Sequence, residues 1–220
     1  MKVIVTGASG GIGAAVCRRF LALGHSVHGI DILPATTEHA NYVHHIADVT
    51  DSASLPGITD AAVIFNNAGV QNCGTEVEVN LLGAVNVTEK YINDNASLRS
   101  ILFNASASSV SGKEFPLYAA SKAGLVGYMK NVAVRLAPRG VTCNAISLGG
   151  VYTPLNDPVA NDPALWKRIM DVTPMKKWTN VDEVADWVVF LTLTNRSMSG
   201  QNILIDNGEH DLADTFVWPE

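Results

Sequence analysis

The sequence predicts an α/β fold: a single domain over residues 1–220, with a doubly wound parallel sheet covered by helices on both faces in three layers. Three observations predict it. Short runs rich in β-branched residues alternate with longer helical stretches. A glycine-rich turn joins the first run to the first helix. No repeat, low-complexity segment or linker divides the chain. The opening run, "KVIVTG" (2–7), is nearly all apolar, as a strand buried on both faces should be. "GIGAAVCRRFLALG" (11–24) is helical, with Gly24 at its end. "SVHGID" (26–31) and "YVHHIAD" (42–48) supply the next strands, followed by "AAVIFNNAG" (61–69). A helix should fill part of 74–94. "SILFNAS" (100–106) is a strand, and a second long helix should occupy part of 116–137. "VTCNAIS" (141–147) is the sixth strand. Residues 149–180, rich in Pro, Asn and Asp, predict a long irregular excursion, and such excursions are usually functional. A helix within 181–193 and the strand "NILID" (202–206) complete the order.

Composition excludes several functions. The 220 residues are 47% apolar and 16% charged, as in a folded globular chain. A net charge of −6 argues against nucleic-acid binding, which needs a basic footprint. Cys17, Cys73 and Cys143 lie far apart, with no CxxC and no metal-type spacing, which points to a reducing compartment. No apolar signal region opens the chain, and "WVVFLTL" (187–193) is too short to span a bilayer. The expectation is a cytoplasmic protein without membrane contact. The six histidines show no ligand spacing. His44 and His45 are adjacent in a strand and point to opposite faces, against joint metal binding.

In "VTGASGGIG" (5–13), Gly7 permits a tight turn, Gly11 lets backbone approach a ligand, and Gly13 lets the helix pack on the sheet. Ser9 and Ile12 share the loop, and the helix start offers unpaired N–H groups to a pyrophosphate. Asp31 ends the second strand about 20 residues on, where an acid accepts hydrogen bonds from an adenosine ribose. It would repel a 2′-phosphate, and no Arg or Lys at 8–12 or 32–37 offsets it. NAD is therefore expected in preference to NADP. Asp48, beside Val49, could meet the adenine or act as a helix cap before "TDSASL".

"LYAASKAG" (117–124) puts Tyr118 four residues before Lys122 in a helical stretch, hence on one face. A free tyrosine ionises near about pH 10 and is a poor base at neutrality; reaching about 7 takes roughly 4 kcal/mol. A neighbouring ammonium, with the positive charge of oxidised nicotinamide, could supply that in a partly dry site. The phenol could then exchange a proton with an alcohol or carbonyl.

Together these pieces resemble the short-chain dehydrogenase/reductase family. The likeness runs in order through "TGASGGIG", Asp31, "DVT" (48–50), "NNAG" (66–69), Asn80, "NASASSVSG" (104–112), "YAASK" (118–122) and "NAISLGGVYTP" (144–154). It implies a Rossmann-type domain, an NAD(P)-dependent exchange between a secondary alcohol and a ketone, and a small alcohol or carbonyl substrate. It implies that Asn67, Ala68 and Gly69 wall the cofactor near the ribose. Val151 backbone and the Thr153 hydroxyl would hold the nicotinamide amide, and Lys122 the ribose hydroxyls. It implies Asn80 as a helix-bending residue whose region links the lysine to solvent. For the hydroxyl that holds the substrate oxygen, Ser106 is expected, twelve residues before Tyr118 and near the family spacing, with Ser108 and Ser109 as competitors. A substrate lid is expected at about 150–180, with Trp166, Met170, Met175 and Trp178 either walling a pocket or packing the lid. A homodimer or homotetramer is implied, and "TFVWPE" (215–220) could dock on a partner or on its own domain. The linker from "NNAG" to Asn80 is short for the family, suggesting a missing helical turn, and Leu148 replaces a usual proline. An epimerase or dehydratase, and a catalytically idle NAD-binding redox sensor, are the rival functions.

Overall fold

In the computed structural model, which describes residues 1–210 and 212, all strand pairings are parallel. Among these residues seven strands run in the order β3-β2-β1-β4-β5-β6-β7. They are β1 (Lys2–Thr6), β2 (Ser26–Asp31), β3 (Tyr42–Ile46), β4 (Ala61–Asn66), β5 (Ser100–Asn104), β6 (Thr142–Leu148) and β7 (Asn202–Ile205). The chain winds outward from β1 to β3, crosses back, and winds outward again from β4 to β7. That reversal leaves a crevice beyond the carboxyl ends of β1 and β4, where open α/β sheets bind ligands. The stretch "TFVWPE" lies outside the described residues.

Side-chain alternation along the strands sorts two cores. On one face Ile4, Ile64, Ile101 and Phe103 pack with Val87, Tyr91, Leu125 and Met129. These come from α2 (Ala84–Ile92) and α4 (Pro116–Leu136). On the other face Val3, Val5, Phe65 and Ile146 pack with Val16, Phe20, Val184 and Val188. These come from α1 (Gly11–Ala22) and α7 (Val181–Val189). Burying both faces explains the unbroken apolar strand sequences.

Several expectations need correction. Strands β3 and β5 each close two residues early, at Ile46 and Asn104. Helix α1 closes at Ala22, two residues early: His25 N donates to Phe20 O (3.1 Å) and Gly24 N to Leu21 O (2.9 Å), with Gly24 at φ +79°. This is a paired C-terminal closure that glycine's left-handed conformation permits. Strand β4 ends at Asn66, not 69, because the Thr6 hydroxyl takes the N–H groups of Asn67 (2.9 Å) and Ala68 (3.0 Å) and draws the chain out of the sheet. Residues 149–180 are not irregular. They contain α5 (Asp157–Ala160) and α6 (Pro163–Val172). The signal was in the sequence: Asp162 caps α6, its carboxylate accepting from Ala164 N (2.9 Å) and Leu165 N (3.1 Å), with Pro163 at the first helical position.

The segment entering α2 is wound as a π-helix over Val77–Gly83. This accommodates the short linker after "NNAG". The linker is pinned by Glu76, which accepts from Cys73 N (2.7 Å) and Gly74 N (3.0 Å). Those backbone bonds, Cys73 first, hold its carboxyl below the usual carboxylate range.

Candidate active site

The glycine turn lies between β1 and α1. Gly7 has φ +64° and Gly11 φ +46°, the left-handed region that favours glycine. At Gly13 the requirement is close approach: a Cβ there would fall 1.9 Å from the Gly7 carbonyl oxygen. Gly10, the residue before α1, has no side chain to cap it, so the helix's first N–H groups are free of an internal anion mimic. The Thr153 methyl faces the turn, 3.3 Å from where a Cβ on Gly11 would stand. Ile12 is partly buried and packs on the α1–α7 core.

Asp31 organises the next loop. Its two carboxylate oxygens accept from Ser9 N and Leu33 N, both at 2.9 Å. Ser9 Oγ donates to Leu33 O (3.1 Å), so Ser9 serves the loop through both groups. Each carboxylate oxygen keeps acceptor capacity for a diol. Asp48 accepts from Thr50 N and Thr50 Oγ1, both at 2.8 Å, and acts as a turn residue. Val49 is buried against Gly83, and its carbonyl accepts from Asn86 Nδ2 (3.0 Å).

The turn after β4 is a clamp. Asn67 Nδ2 donates to the carbonyls of Thr6 (3.0 Å) and Gly7 (3.3 Å), and its Oδ1 accepts from Asn104 Nδ2 (2.9 Å). The side chain expected to face a cofactor is thus committed to shaping the glycine turn. Asn80 is 1% exposed inside the π-helix. It grips Val70 twice, accepting from its N–H (2.7 Å) and donating to its carbonyl (2.9 Å), and also donates to Ser121 Oγ (3.1 Å). Ser121 Oγ in turn donates to Tyr118 O (2.8 Å). Gly69 lies between these arms: a Cβ there would stand 3.1 Å from Asn80 Oδ1 and 3.4 Å from Lys122 Nζ.

Tyr118 and Lys122 share a face of the first turns of α4. The Lys122 ammonium stands 5.7 Å from the Tyr118 ring centroid, donates to Asn104 O (2.7 Å), and is 4% exposed. Burial pulls its pKa down to about 8. The sequence expectation for the phenol counted the positive charge of oxidised nicotinamide beside the ammonium; the protein's own groups shift it the other way. Burial pushes Tyr118 up to about 12; the Ser106 hydroxyl opposes the rise as a hydrogen-bonding neighbour, and the Glu114 charge adds to it. Spacing placed an ammonium near the phenol but could not weigh desolvation, which dominates here and which the nearby Glu114 charge reinforces. Tyr118 therefore stands in this geometry as a neutral phenol.

The three serines separate cleanly. Ser106 ends the loop after β5, 5% exposed, and its Oγ accepts from Ser108 N (3.2 Å) and Ser108 Oγ (2.9 Å), leaving its own proton to donate. The short helix α3 (Ser108–Ser111) turns Ser109 away, onto Ser147 Oγ (3.0 Å) of β6. Beyond β6, Val151 pairs with Thr179: Tyr152 N donates to Thr179 O (3.0 Å) and Thr179 N to Gly150 O (3.1 Å). The Val151 carbonyl is already taken by Asn156 Nδ2 (2.9 Å). Tyr152, Trp166 and Trp178 stack edge-on and tilted with centroids 5.0–5.9 Å apart. Trp166 and Trp178 thus fasten the base of this segment, and Met175 is exposed.

Sequence reading missed Thr6, Asn104 and Ser121. Thr6 and Asn104 are polar residues closing buried apolar strands, which was the available signal; Ser121, on a helix between Lys122 and the exposed Ala120, carried none.

Burying Lys122 carries a stability consequence. Its folded-state pKa lies below the unfolded value, so the folded chain binds fewer protons between about pH 8 and about pH 10.4. The penalty is full below that window and fades as pH rises through it. Lys122→Met should melt at or above the wild-type temperature at pH 7, with the gap narrowing by pH 10. Thermal melts at the two pH values check this.

No helix among the described residues is long and apolar enough to cross a membrane. A family model described as "Enoyl-(Acyl carrier protein) reductase" matches residues 7–210. Glucose 1-dehydrogenase of Gluconobacter oxydans is 30% identical over 241 residues, covering 94% of this chain and 91% of the relative. The 2-(R)-hydroxypropyl-CoM dehydrogenase of Xanthobacter autotrophicus is 31% identical over 223 residues, covering 86% and 89%. The ligand-free aldohexose dehydrogenase of Thermoplasma acidophilum superposes with a TM-score of 0.85 at 27% identity, covering 100% of this chain and 97% of that one. With the glycine turn, the "NNAG" clamp and the Tyr118–Lys122 pair in one crevice, the chain belongs to the short-chain dehydrogenase/reductase family and is an oxidoreductase.

Proposed function

We propose that the chain interconverts a secondary alcohol and a ketone with NAD, Tyr118 handling the proton. The observation that carries this is the half-buried Tyr118 phenol with Ser106 beside it and the Lys122 ammonium against its ring, next to the uncapped glycine turn. The residues fit a dinucleotide: the tight Gly7–Gly13 contact leaves room for backbone to meet a pyrophosphate, and Asp31 retains acceptor sites for a ribose diol. The nicotinamide supplies or takes the hydride. The protein supplies the rest. Ser106 donates to the substrate oxygen and fixes it beside the phenol. Tyr118, held neutral by burial, gives its proton to that oxygen as a ketone becomes an alcohol. Lys122 has N–H donors beyond the one on Asn104 O, and these suit the ribose hydroxyls. In oxidation the same phenol must act as a base, so that direction is expected to speed up with rising pH. Reduction needs the protonated pair and is expected to fall above about pH 8, where Lys122 loses its proton.

Turnover of a panel of ketones with NADH, followed by the loss of NADH absorbance, tests the reading. Clear turnover supports it; tight NADH binding with no turnover across the panel would favour the idle redox sensor. Relatives with NAD or NADP in their structures leave the nucleotide open at family level. Asp31 favours NAD here through repulsion of a 2′-phosphate. Asp31→Ala is expected to move the NADP-to-NAD ratio of kcat/KM at least about tenfold toward NADP, equal to about 1.4 kcal/mol. An unchanged ratio would remove Asp31 from nucleotide choice.

A further inference from the structure

We propose that Asn104 is the positioning residue for Lys122 and couples the glycine turn to the ammonium through one line of hydrogen bonds. The inference rests on the reading that Lys122 serves the cofactor and substrate. The line begins at the carbonyls of Thr6 and Gly7, which accept from Asn67 Nδ2 (3.0 and 3.3 Å). Asn67 Oδ1 accepts from Asn104 Nδ2 (2.9 Å), and the Asn104 carbonyl accepts from Lys122 Nζ (2.7 Å). These groups sit at or just past the carboxyl ends of β1, β4 and β5, so the line follows the rim of the crevice.

Three features set Asn104 apart from an ordinary strand residue. It is a polar residue that follows the apolar run "ILF" in a strand paired on both sides within the sheet. Its Oδ1 is buried and has no partner. Buried acceptors are seldom left unmet, so the amide is not kept there for its own satisfaction. Its main chain supplies the hydrogen bond found for a nearly buried ammonium. A buried cation needs its acceptor fixed, because a shifted acceptor leaves the charge unpaired. Fixing this acceptor requires fixing the end of β5, and the side-chain tie to Asn67 does that. Tyr118, on the same helix, is the titratable group facing the ammonium; β5 and the turn at Gly69 present neutral groups to it. A displaced glycine turn would therefore be felt at Lys122, and the ammonium is aligned when the turn is correctly formed.

The test compares Asn104→Ala and Asn104→Thr with wild type and Lys122→Ala. Readouts are NADH affinity, kcat against pH with a ketone substrate, and melting temperature. In Asn104→Ala, kcat should fall about tenfold or more, and the alkaline limb of its pH profile should move to lower pH, since a loosened acceptor favours the neutral amine. Asn104→Thr, which keeps a donor on the strand, should recover part of both. Asn67→Ala, approached from the other end of the line, should move the same limb in the same direction, and it decides the matter should Asn104→Ala not fold. A wild-type pH profile in these variants, with loss confined to melting temperature or to NADH affinity, overturns the proposal. A fully active Lys122→Ala instead overturns the reading of Lys122 on which it rests.

Discussion

Replacing Tyr118 with Phe should lower kcat for ketone reduction by about 10²- to 10⁴-fold, the usual range for loss of a general acid. NADH affinity should stay within about threefold of wild type, because no hydrogen bond of the glycine turn, Asp31 or Asn67 involves the phenol. The fold should tolerate the change, since the ring stays and the oxygen's neighbour, Ser106, keeps its bonds to Ser108. Steady-state kinetics beside a binding titration separate the two quantities. A parallel loss of binding and turnover would mean that Tyr118 acts in shaping the crevice. Turnover undiminished in Tyr118→Phe would move the proton to another group.

The second large effect lies at the other end of the crevice. Gly13→Ala places a methyl 1.9 Å from the Gly7 carbonyl oxygen and 2.9 Å from Asn67 Nδ2. Neither neighbour is the loose end of a flexible side chain. Relief requires α1 to rise off the sheet or the Gly7 turn to open, and either breaks the contacts that Asn67 makes with the turn. Overpacking of this kind costs typically about 1–3 kcal/mol, and a backbone obstacle sets it at the upper end or beyond. The expectation is a clear drop in melting temperature together with loss of dinucleotide binding at concentrations that saturate the wild type. Thermal melts and a binding titration check it. A variant that binds NADH normally would show that the turn and helix need not touch.

These effects bear on what a sequence can say. Strand-helix alternation gave all seven strands, because burial on both faces leaves unbroken apolar runs such as "AAVIFN". Strand ends were harder. Asn67 and Ala68 look like a continuation of β4 until the Thr6 hydroxyl, sixty-odd positions earlier in the chain, claims their N–H groups. Helix α6 was legible in "DP" at 162–163 but was masked by the proline content of its surroundings. At the site, motif order placed Tyr118, Lys122, Asn80 and Asp31 in or beside one crevice. It favoured Ser106 by spacing but could not dismiss Ser108 and Ser109, since that depends on a single turn of helix that swings Ser109 toward β6. Nor could it fix the sign of the phenol's shift. Spacing reports which charges are near; desolvation depends on how much of the fold closes over them, and for Tyr118 that quantity decides.

The neutral phenol can be measured directly. Titrating the cofactor-free protein and taking the ultraviolet difference between wild type and Tyr118→Phe isolates the ionisation of this one residue. Burial without a compensating charge on the oxygen predicts that its tyrosinate signal is still minor at about pH 10, the midpoint of an ordinary tyrosine, and develops only toward about 12. A tyrosinate signal appearing near neutrality in the absence of cofactor would contradict the assignment of Tyr118 as the standing proton donor.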